Sequence, residues 1–182
     1  MDALQQNIIL HTQQWIKKIV IQLNFCPFAA QPFYKNKILY TVLNSAKRKT
    51  VLENLLDTCQ LLSANNDFET ALIILPNNFE DFNSYLDILA LCNKNLKNKE
   101  LSSTFQLASF HPDYVFDKQD YNQAANFTNR SPYPMLHILK QSSVTWATQH
   151  HTNTLAIPMA NIQTAHQQGY STLFALWESC FE

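Results

Sequence analysis

The N-terminal segment follows a helical pattern of apolar and polar positions. From Ala3 to Leu23, apolar side chains recur at spacings of three and four residues, at Leu4, Ile8, Trp15, Ile16, Ile19, Val20 and Leu23. This spacing predicts an amphipathic helix that packs one face against a core. Because Pro27 cannot continue a helix, we expect the helix to end near Asn24.

Short β-branched and aliphatic runs alternate with helical patterns in the middle of the chain. We predict strands at Lys37 to Leu43, Glu69 to Leu75 and Thr104 to Phe110, with a helix over 51–62 and another that begins after Asn78. This alternation favours parallel strand pairing through right-handed crossovers. The sequence therefore predicts one α/β domain over residues 1–182, a sandwich with a small, mostly parallel sheet flanked by helices.

The C-terminal third is expected to be helical. Ser131 is a suitable N-cap with Pro132 at the first helical position, so we predict a helix from there to about Gln149. Two further helices are expected on either side of Gly169, and the second should bury Leu173, Phe174, Trp177 and Phe181.

Glycine is nearly absent, and this excludes several functions. The chain contains 1 glycine, Gly169, so neither a Walker loop nor a dinucleotide-binding fingerprint can be built and no nucleotide cofactor is expected. Asparagine tolerates positive φ, so we predict turns at Asn65-Asn66, Asn77-Asn78 and Asn126 to Asn129. The same asparagine excess is equally compatible with a compositional bias of the source.

Charge and hydropathy exclude two further classes of partner. The formal net charge is −1 with 13 lysines and arginines, so we expect no sequence-general nucleic-acid binding. The apolar runs are too short to cross a bilayer, so no membrane partner is expected. Four widely separated cysteines and the lack of a signal-peptide pattern predict a cytoplasmic, reducing location.

The segment from Gln141 to Trp177 contains no Asp, Glu, Lys or Arg. Such a surface is either solvated by its Gln, Thr, Asn and His side chains or covered by a partner protein or a second copy of the chain. This uncharged C-terminal surface is the best sequence feature in favour of an interaction module.

Three blocks carry a family resemblance: residues 24–28 (NFCPF), 105–116 (FQLASFHPDYVF) and 126–137 (NFTNRSPYPMLH). Together they resemble the signature of an uncharacterised bacterial family, domain of unknown function 1415, over nearly the whole chain. The resemblance implies no activity. It marks as positions of the shared pattern Cys26, His111, Asn129, Arg130, Ser131 and His137.

The same blocks suggest an anion site. His111 follows the third predicted strand, and the carboxyl ends of parallel strands form the crevice in which open α/β sheets bind ligands. Arg130 and Ser131 stand at a predicted helix start, where free N–H groups and a planar guanidinium suit phosphate or carboxylate. Alternatively, His111 is hydrogen-bonded to the irregular segment after it, and Arg130 pairs with Asp113, Asp117 or Asp120 to fix that segment.

We therefore expect the chain to bind a small anionic metabolite, with ligand-binding residues Asn126, Asn129, Arg130, Ser131 and Tyr133. His111 and His137 would transfer protons in one crevice, and Cys26 would act as nucleophile, as in a hydrolase- or transferase-like acid–base enzyme. Cys26 with the two histidines would alternatively form a zinc site, and a buried inert Cys26 is a further alternative. The competing class is a noncatalytic ligand-binding or protein-interaction module.

Overall fold

The computed structural model describes residues 2–44, 47–64, 67–150 and 154–182. In these ranges four strands form one sheet in the order β1-β2-β4-β3: β1 (Ile38–Val42), β2 (Thr70–Ile74), β3 (Phe105–Phe110) and β4 (Met135–Lys140). β1 and β2 are parallel, whereas β4 is antiparallel to both β2 and β3. The α/β class is confirmed, but the sheet is mixed, not mostly parallel. Because β1, β2 and β3 run in one direction, their carboxyl ends share an edge with the start of β4.

The predicted helix from Ser131 to Gln149 is wrong in its first half. β4 occupies Met135–Lys140, and α5 (Gln141–His150) follows it directly. β4 is a central strand with both faces covered, so its apolar run does not alternate and cannot be distinguished by periodicity from a buried helix. Consequently Ser131 caps no helix, and the anion site expected from a helix N-terminus there is absent.

Two helices cover one face of the sheet. α3 (Arg48–Ala64) and α4 (Phe82–Asn98) pack against the odd-numbered residues of β2 and β3 and the even-numbered residues of β4. Asp81 caps α4 by accepting a hydrogen bond from the Ser84 amide at 2.8 Å. The expected cap, Asn78, instead lies in the preceding turn. This helical layer and its core define what we call the α4 face of the sheet.

The other face, which we call the α1 face, is covered by both ends of the chain. α1 (Ala3–Trp15) begins with a capping box at Asp2 and continues into a turn of π-helix (Ile16–Ile21). A short α2 (Ala30–Tyr34) precedes β1, and the C-terminal α6 (Ile157–Gln168) and α7 (Tyr170–Glu178) complete the layer. The two helices flank Gly169 as predicted, and α7 buries Leu173 but leaves Phe174 and the following Phe181 partly exposed.

Asparagine supplies some of the turns, at one of the predicted clusters and at two positions outside them. Asn24, Asn36 and Asn78 have positive φ, so the turn at Asn77-Asn78 is confirmed. Asn126 to Asn129 instead belong to a 3-10 turn (Ala124–Thr128) and its cap, with Asn129 at φ −125°. The predicted turn at Asn65-Asn66 lies outside the described residues.

Candidate functional site

The irregular segment 112–123, which we call the covering loop, connects β3 to the 3-10 turn and is held from inside by Asn126. This side chain is fully buried. Its Nδ2 donates to the carbonyls of Asp120 at 3.0 Å and Tyr121 at 3.1 Å, and its Oδ1 accepts from the Phe116 amide at 3.1 Å. Asn126 therefore fixes the loop backbone, and both N–H donors of its amide are used, so none is left for an anion.

Arg130 is the second residue that holds the covering loop. Its residue exposure is 2%. Nε donates to the carbonyl of Tyr114 at 3.2 Å and Nη2 to that of Tyr121 at 2.6 Å. The guanidinium carbon lies 4.2 Å from the ring centroid of Tyr121 and 4.9 Å from that of Phe127. The Arg130 side chain is thus held by carbonyls and aromatic faces.

The guanidinium of Arg130 has no carboxylate partner in the described part of the chain. The ion pairs there join Arg48 to Asp87, Lys49 to Glu53 and Lys118 to Asp117. As an alternative, we expected Arg130 to form an ion pair with an aspartate of the loop. The guanidinium instead donates hydrogen bonds to carbonyls of that loop. Burying a cation costs desolvation free energy, which its contacts in the protein must offset. Contacts with carbonyls and aromatic rings offset this cost only in part.

The hydrogen bonds of Arg130 leave some of its N–H donors without a described acceptor. A guanidinium has five N–H donors, and the described bonds use the Nε–H and one N–H of Nη2. One N–H of Nη1 and the second N–H of Nη2 lie on the end-on edge, and the other N–H of Nη1 is directed toward Cδ. Through this edge, arginine can form two parallel hydrogen bonds to a carboxylate or phosphate.

His111 is fully buried on the α4 face, next to the rings of Tyr85 and Phe82. Its Nδ1 accepts from the Asp113 amide at 3.0 Å, so the proton is on Nε2, which donates to the Phe79 carbonyl at 3.0 Å. Burial lowers the pKa of His111 below its usual range. A neutral imidazole with both nitrogens bonded to backbone groups holds the start of the covering loop.

His137 lies on the α1 face, so the two histidines expected to share a crevice are on opposite faces of the sheet. The Thr70 hydroxyl donates to the Ile138 carbonyl at 2.6 Å, so His137 Nε2–H must donate to Thr70 Oγ1, at 2.7 Å. Burial lowers the pKa of His137 to about 4. This side chain bridges β4 and β2.

The remaining predicted anion ligands form hydrogen bonds within the chain. Asn129 Nδ2 donates to the Ser109 carbonyl at 3.1 Å, and the buried Ser131 Oγ donates to the Tyr133 carbonyl at 2.6 Å. The Tyr133 hydroxyl lies 2.7 Å from His11 Nδ1. Ser131 and Asn129 therefore fix the chain between β3 and β4, whereas Tyr133 faces α1.

Cys26 follows the π-helix and packs on the α1 face with the side chains around it, away from His111 on the α4 face. Burial raises the pKa of its thiol, which disfavours the thiolate needed by a nucleophile. Cys26, Cys59, Cys92 and Cys180 are all free thiols. Over the ranges that the structure describes, no three His, Cys, Asp or Glu side chains are grouped to hold a metal ion, so the expected zinc alternative gains no support.

Sequence reasoning missed the aromatic residues around Arg130. Tyr121 and Phe127 contact the guanidinium directly, and the centroid of the Tyr170 ring lies 5.9 Å from the guanidinium carbon. A signal was present, since an arginine-poor chain places Arg130 within a run rich in tyrosine and phenylalanine, the rings that bind cations best after tryptophan. Tyr170, on a distant helix, had no local signal.

The fold and this site define an α/β protein with a buried arginine enclosed by aromatic rings beside the edge of a mixed sheet. Residues 7–174 match the family described as Protein of unknown function (DUF1415), and the chain belongs to that family. A comparison with curated proteins and one with solved structures found no match. Among the described residues, no helix is long and apolar enough to span a membrane.

Proposed function

We propose that this chain binds a small anion, a phosphate or carboxylate group of a metabolite, at the guanidinium of Arg130. The observation that carries the proposal is a guanidinium in a residue of 2% exposure with no ion-pair partner in the described part of the chain. An anion would supply the missing counter-charge in a place where low dielectric strengthens the interaction.

The anion would bind end-on to Nη1 and Nη2 of Arg130. The Nε–Nη2 side is occupied by the carbonyls of Tyr114 and Tyr121, so the usual side-on fork is not open. Asn126 donates both N–H groups of its amide to backbone carbonyls, Asn129 donates one of its two, and Ser131 donates its hydroxyl, so their role in the proposal is to position Arg130 and the loop.

Acid–base catalysis is not part of the proposal. Proton transfer by His111 would require breaking hydrogen bonds at both ring nitrogens, and His137 lies on the opposite face of the sheet. These contacts fit ligand binding without proton transfer better than they fit acid–base catalysis by the two histidines. We also propose a reducing cytoplasmic location, which the four free thiols support.

Arg130→Lys is expected to weaken the binding of inorganic phosphate at least tenfold. Lysine keeps the positive charge but has three N–H donors and no planar fork, too few for two loop carbonyls and two parallel bonds to a ligand. Isothermal titration with phosphate and with a dicarboxylate measures the change.

Arg48→Lys is the matched control, because Arg48 is an exposed arginine paired with Asp87. Thermal melting of both variants separates binding from stability. If Arg130→Lys lowers the melting temperature and leaves phosphate binding unchanged, Arg130 is purely structural and the proposal is wrong.

A second candidate function is self-association through the uncharged C-terminal surface. Leu155 is 94% exposed, Met159 68% and Trp146 56%, an unusual exposure for large apolar side chains. In a two-fold interface the residues close to the axis lie near their own copies, so a segment from Gln141 to Trp177 without formal charges avoids like-charge repulsion there. We therefore propose a second copy of the chain as the occupant of this surface.

Leu155→Glu combined with Met159→Glu is expected to convert a dimer to a monomer, because the substitutions place like charges at the proposed two-fold contact. Light scattering after size-exclusion chromatography gives the mass. Leu61→Glu is the control, since Leu61 is 49% exposed on α3, outside the surface. A wild-type chain that is monomeric at high micromolar concentration contradicts this second candidate.

A further inference from the structure

We propose that the side chain of Tyr121 is a gate that controls the access of anions to Arg130. Tyr121 is 49% exposed, whereas Arg130 beneath it is 2% exposed. The centroid of the Tyr121 ring lies 4.2 Å from the guanidinium carbon. Of the three aromatic rings around the guanidinium, that of Tyr121 belongs to an exposed residue, that of Tyr170 to a half-buried one and that of Phe127 to a buried one. Tyr121 therefore lies between the guanidinium and solvent.

The gate is held closed at its outer end by Asp113. The Tyr121 hydroxyl donates to Asp113 Oδ1 at 2.7 Å. Asp113 is itself fixed, because its amide donates to His111 Nδ1 at 3.0 Å. The ring is thus held by the hydroxyl–carboxylate bond and by its cation–π contact with Arg130.

Opening requires the movement of one side chain and not of the loop. The Tyr121 carbonyl accepts from Arg130 Nη2 at 2.6 Å and from Asn126 Nδ2 at 3.1 Å, so the backbone is fixed at two points. Rotation about the side-chain torsions of Tyr121 breaks the bond to Asp113 and removes the ring that separates the guanidinium from solvent. Such rotamer changes at exposed residues occur in picoseconds to nanoseconds.

The inference rests on the proposed function for its purpose, since a gate matters only if an anion enters. The closed conformer competes with the ligand, so the apparent affinity is reduced in proportion to the open fraction. Weakening the bond between Tyr121 and Asp113 should therefore strengthen anion binding, the opposite of what loss of a ligand-binding residue would do.

Tyr121→Phe tests the gate, because it removes the hydroxyl and keeps the ring. Losing one hydrogen bond of ordinary strength is expected to increase the open fraction about fivefold. In the ligand-free protein, the solvent exchange of the Arg130 Nη1 protons, which the described hydrogen bonds leave unused, should rise by about that factor. The apparent affinity for inorganic phosphate should rise similarly. Tyr34→Phe, at a tyrosine that is 64% exposed on α2, is the control and should change neither quantity.

The outcomes separate the two proposals. Faster exchange in Tyr121→Phe without phosphate binding in any variant keeps the gate and removes the proposed anion site. Phosphate binding that is equal in wild type and Tyr121→Phe, with unchanged proton exchange, keeps the anion site and overturns the gate. Weaker phosphate binding in Tyr121→Phe also overturns the gate, since it would make the hydroxyl a ligand-binding group.

Discussion

Replacing Asn126 by alanine is expected to lower the free energy of unfolding by about 4 kcal/mol. The fully buried Asn126 side chain makes three hydrogen bonds to the backbone of the covering loop. Its removal leaves the Phe116 amide and the Asp120 carbonyl without these partners, whereas the Tyr121 carbonyl retains Arg130. The loss of three hydrogen bonds costs roughly 0.5–1.5 kcal/mol for each bond, and the cavity left by the buried side chain adds to this.

Urea unfolding of wild type and Asn126→Ala gives the difference directly. Asn122→Ala is the matched control, because Asn122 lies in the same loop with an exposed side chain. The control should change stability by no more than about 0.5 kcal/mol. Equal stabilities of the two variants would show that Asn126 does not organise the covering loop.

Acidification from pH 6.5 to pH 4 is expected to remove about 3 kcal/mol of stability through His137 alone. Burial lowers the pKa of His137 in the folded chain from 6.5 to about 4. The unfolded chain therefore binds a proton first as pH falls. The stabilisation due to neutral His137 is complete above pH 6.5 and is lost progressively down to pH 4.

The variant His137→Leu should lack this pH-dependent loss of stability, because the substitution removes the titrating group. Thr70 keeps its hydrogen bond to the Ile138 carbonyl in the variant. The test compares unfolding free energies at pH 7 and pH 4.5 in wild type and variant, because carboxylates titrate equally in both. His166→Gln, at an exposed histidine, should behave like wild type. A wild-type pH dependence in His137→Leu would contradict the burial of a neutral imidazole at this position.

The sequence could predict the elements that have a clear helical period or that form a short apolar run between turn residues. α1 and α3 have helical stripes, and β1 and β2 are short apolar runs bounded by turn residues, so their positions agree with the structure within a few residues. β4 could not be recognised in the same way. It lies between β2 and β3, and burial on both faces removes the alternation that distinguishes a strand.

The error at β4 also explains the error about the histidines. In a strand, successive side chains point to opposite faces, so the face of His137 depends on the register of a strand that the sequence did not predict. His111 follows β3 and turns to the α4 face, whereas His137 pairs across from Leu72 on the α1 face. His111 and His137 both belong to the family pattern, but their side chains lie on opposite faces of the sheet.

Arg130 could be identified from composition, but its surroundings could not. Lysine is the common cation of this chain, and arginine occurs only at Arg48 and Arg130, which pointed to a specific need for a guanidinium. Its partners are carbonyls of the covering loop and a ring from α7, and backbone carbonyls have no sequence signature. Only the folded chain brings them together.

The most direct test of the anion site is an NMR titration of the arginine Nε–H groups with inorganic phosphate. The chain has two arginines, so the exposed Arg48 is an internal control for the buried Arg130. We expect the Arg130 signal to shift in a saturable manner while the Arg48 signal stays nearly constant. If the Arg130 signal does not move, or moves only in parallel with that of Arg48, phosphate does not bind at the buried guanidinium and the proposed function is wrong.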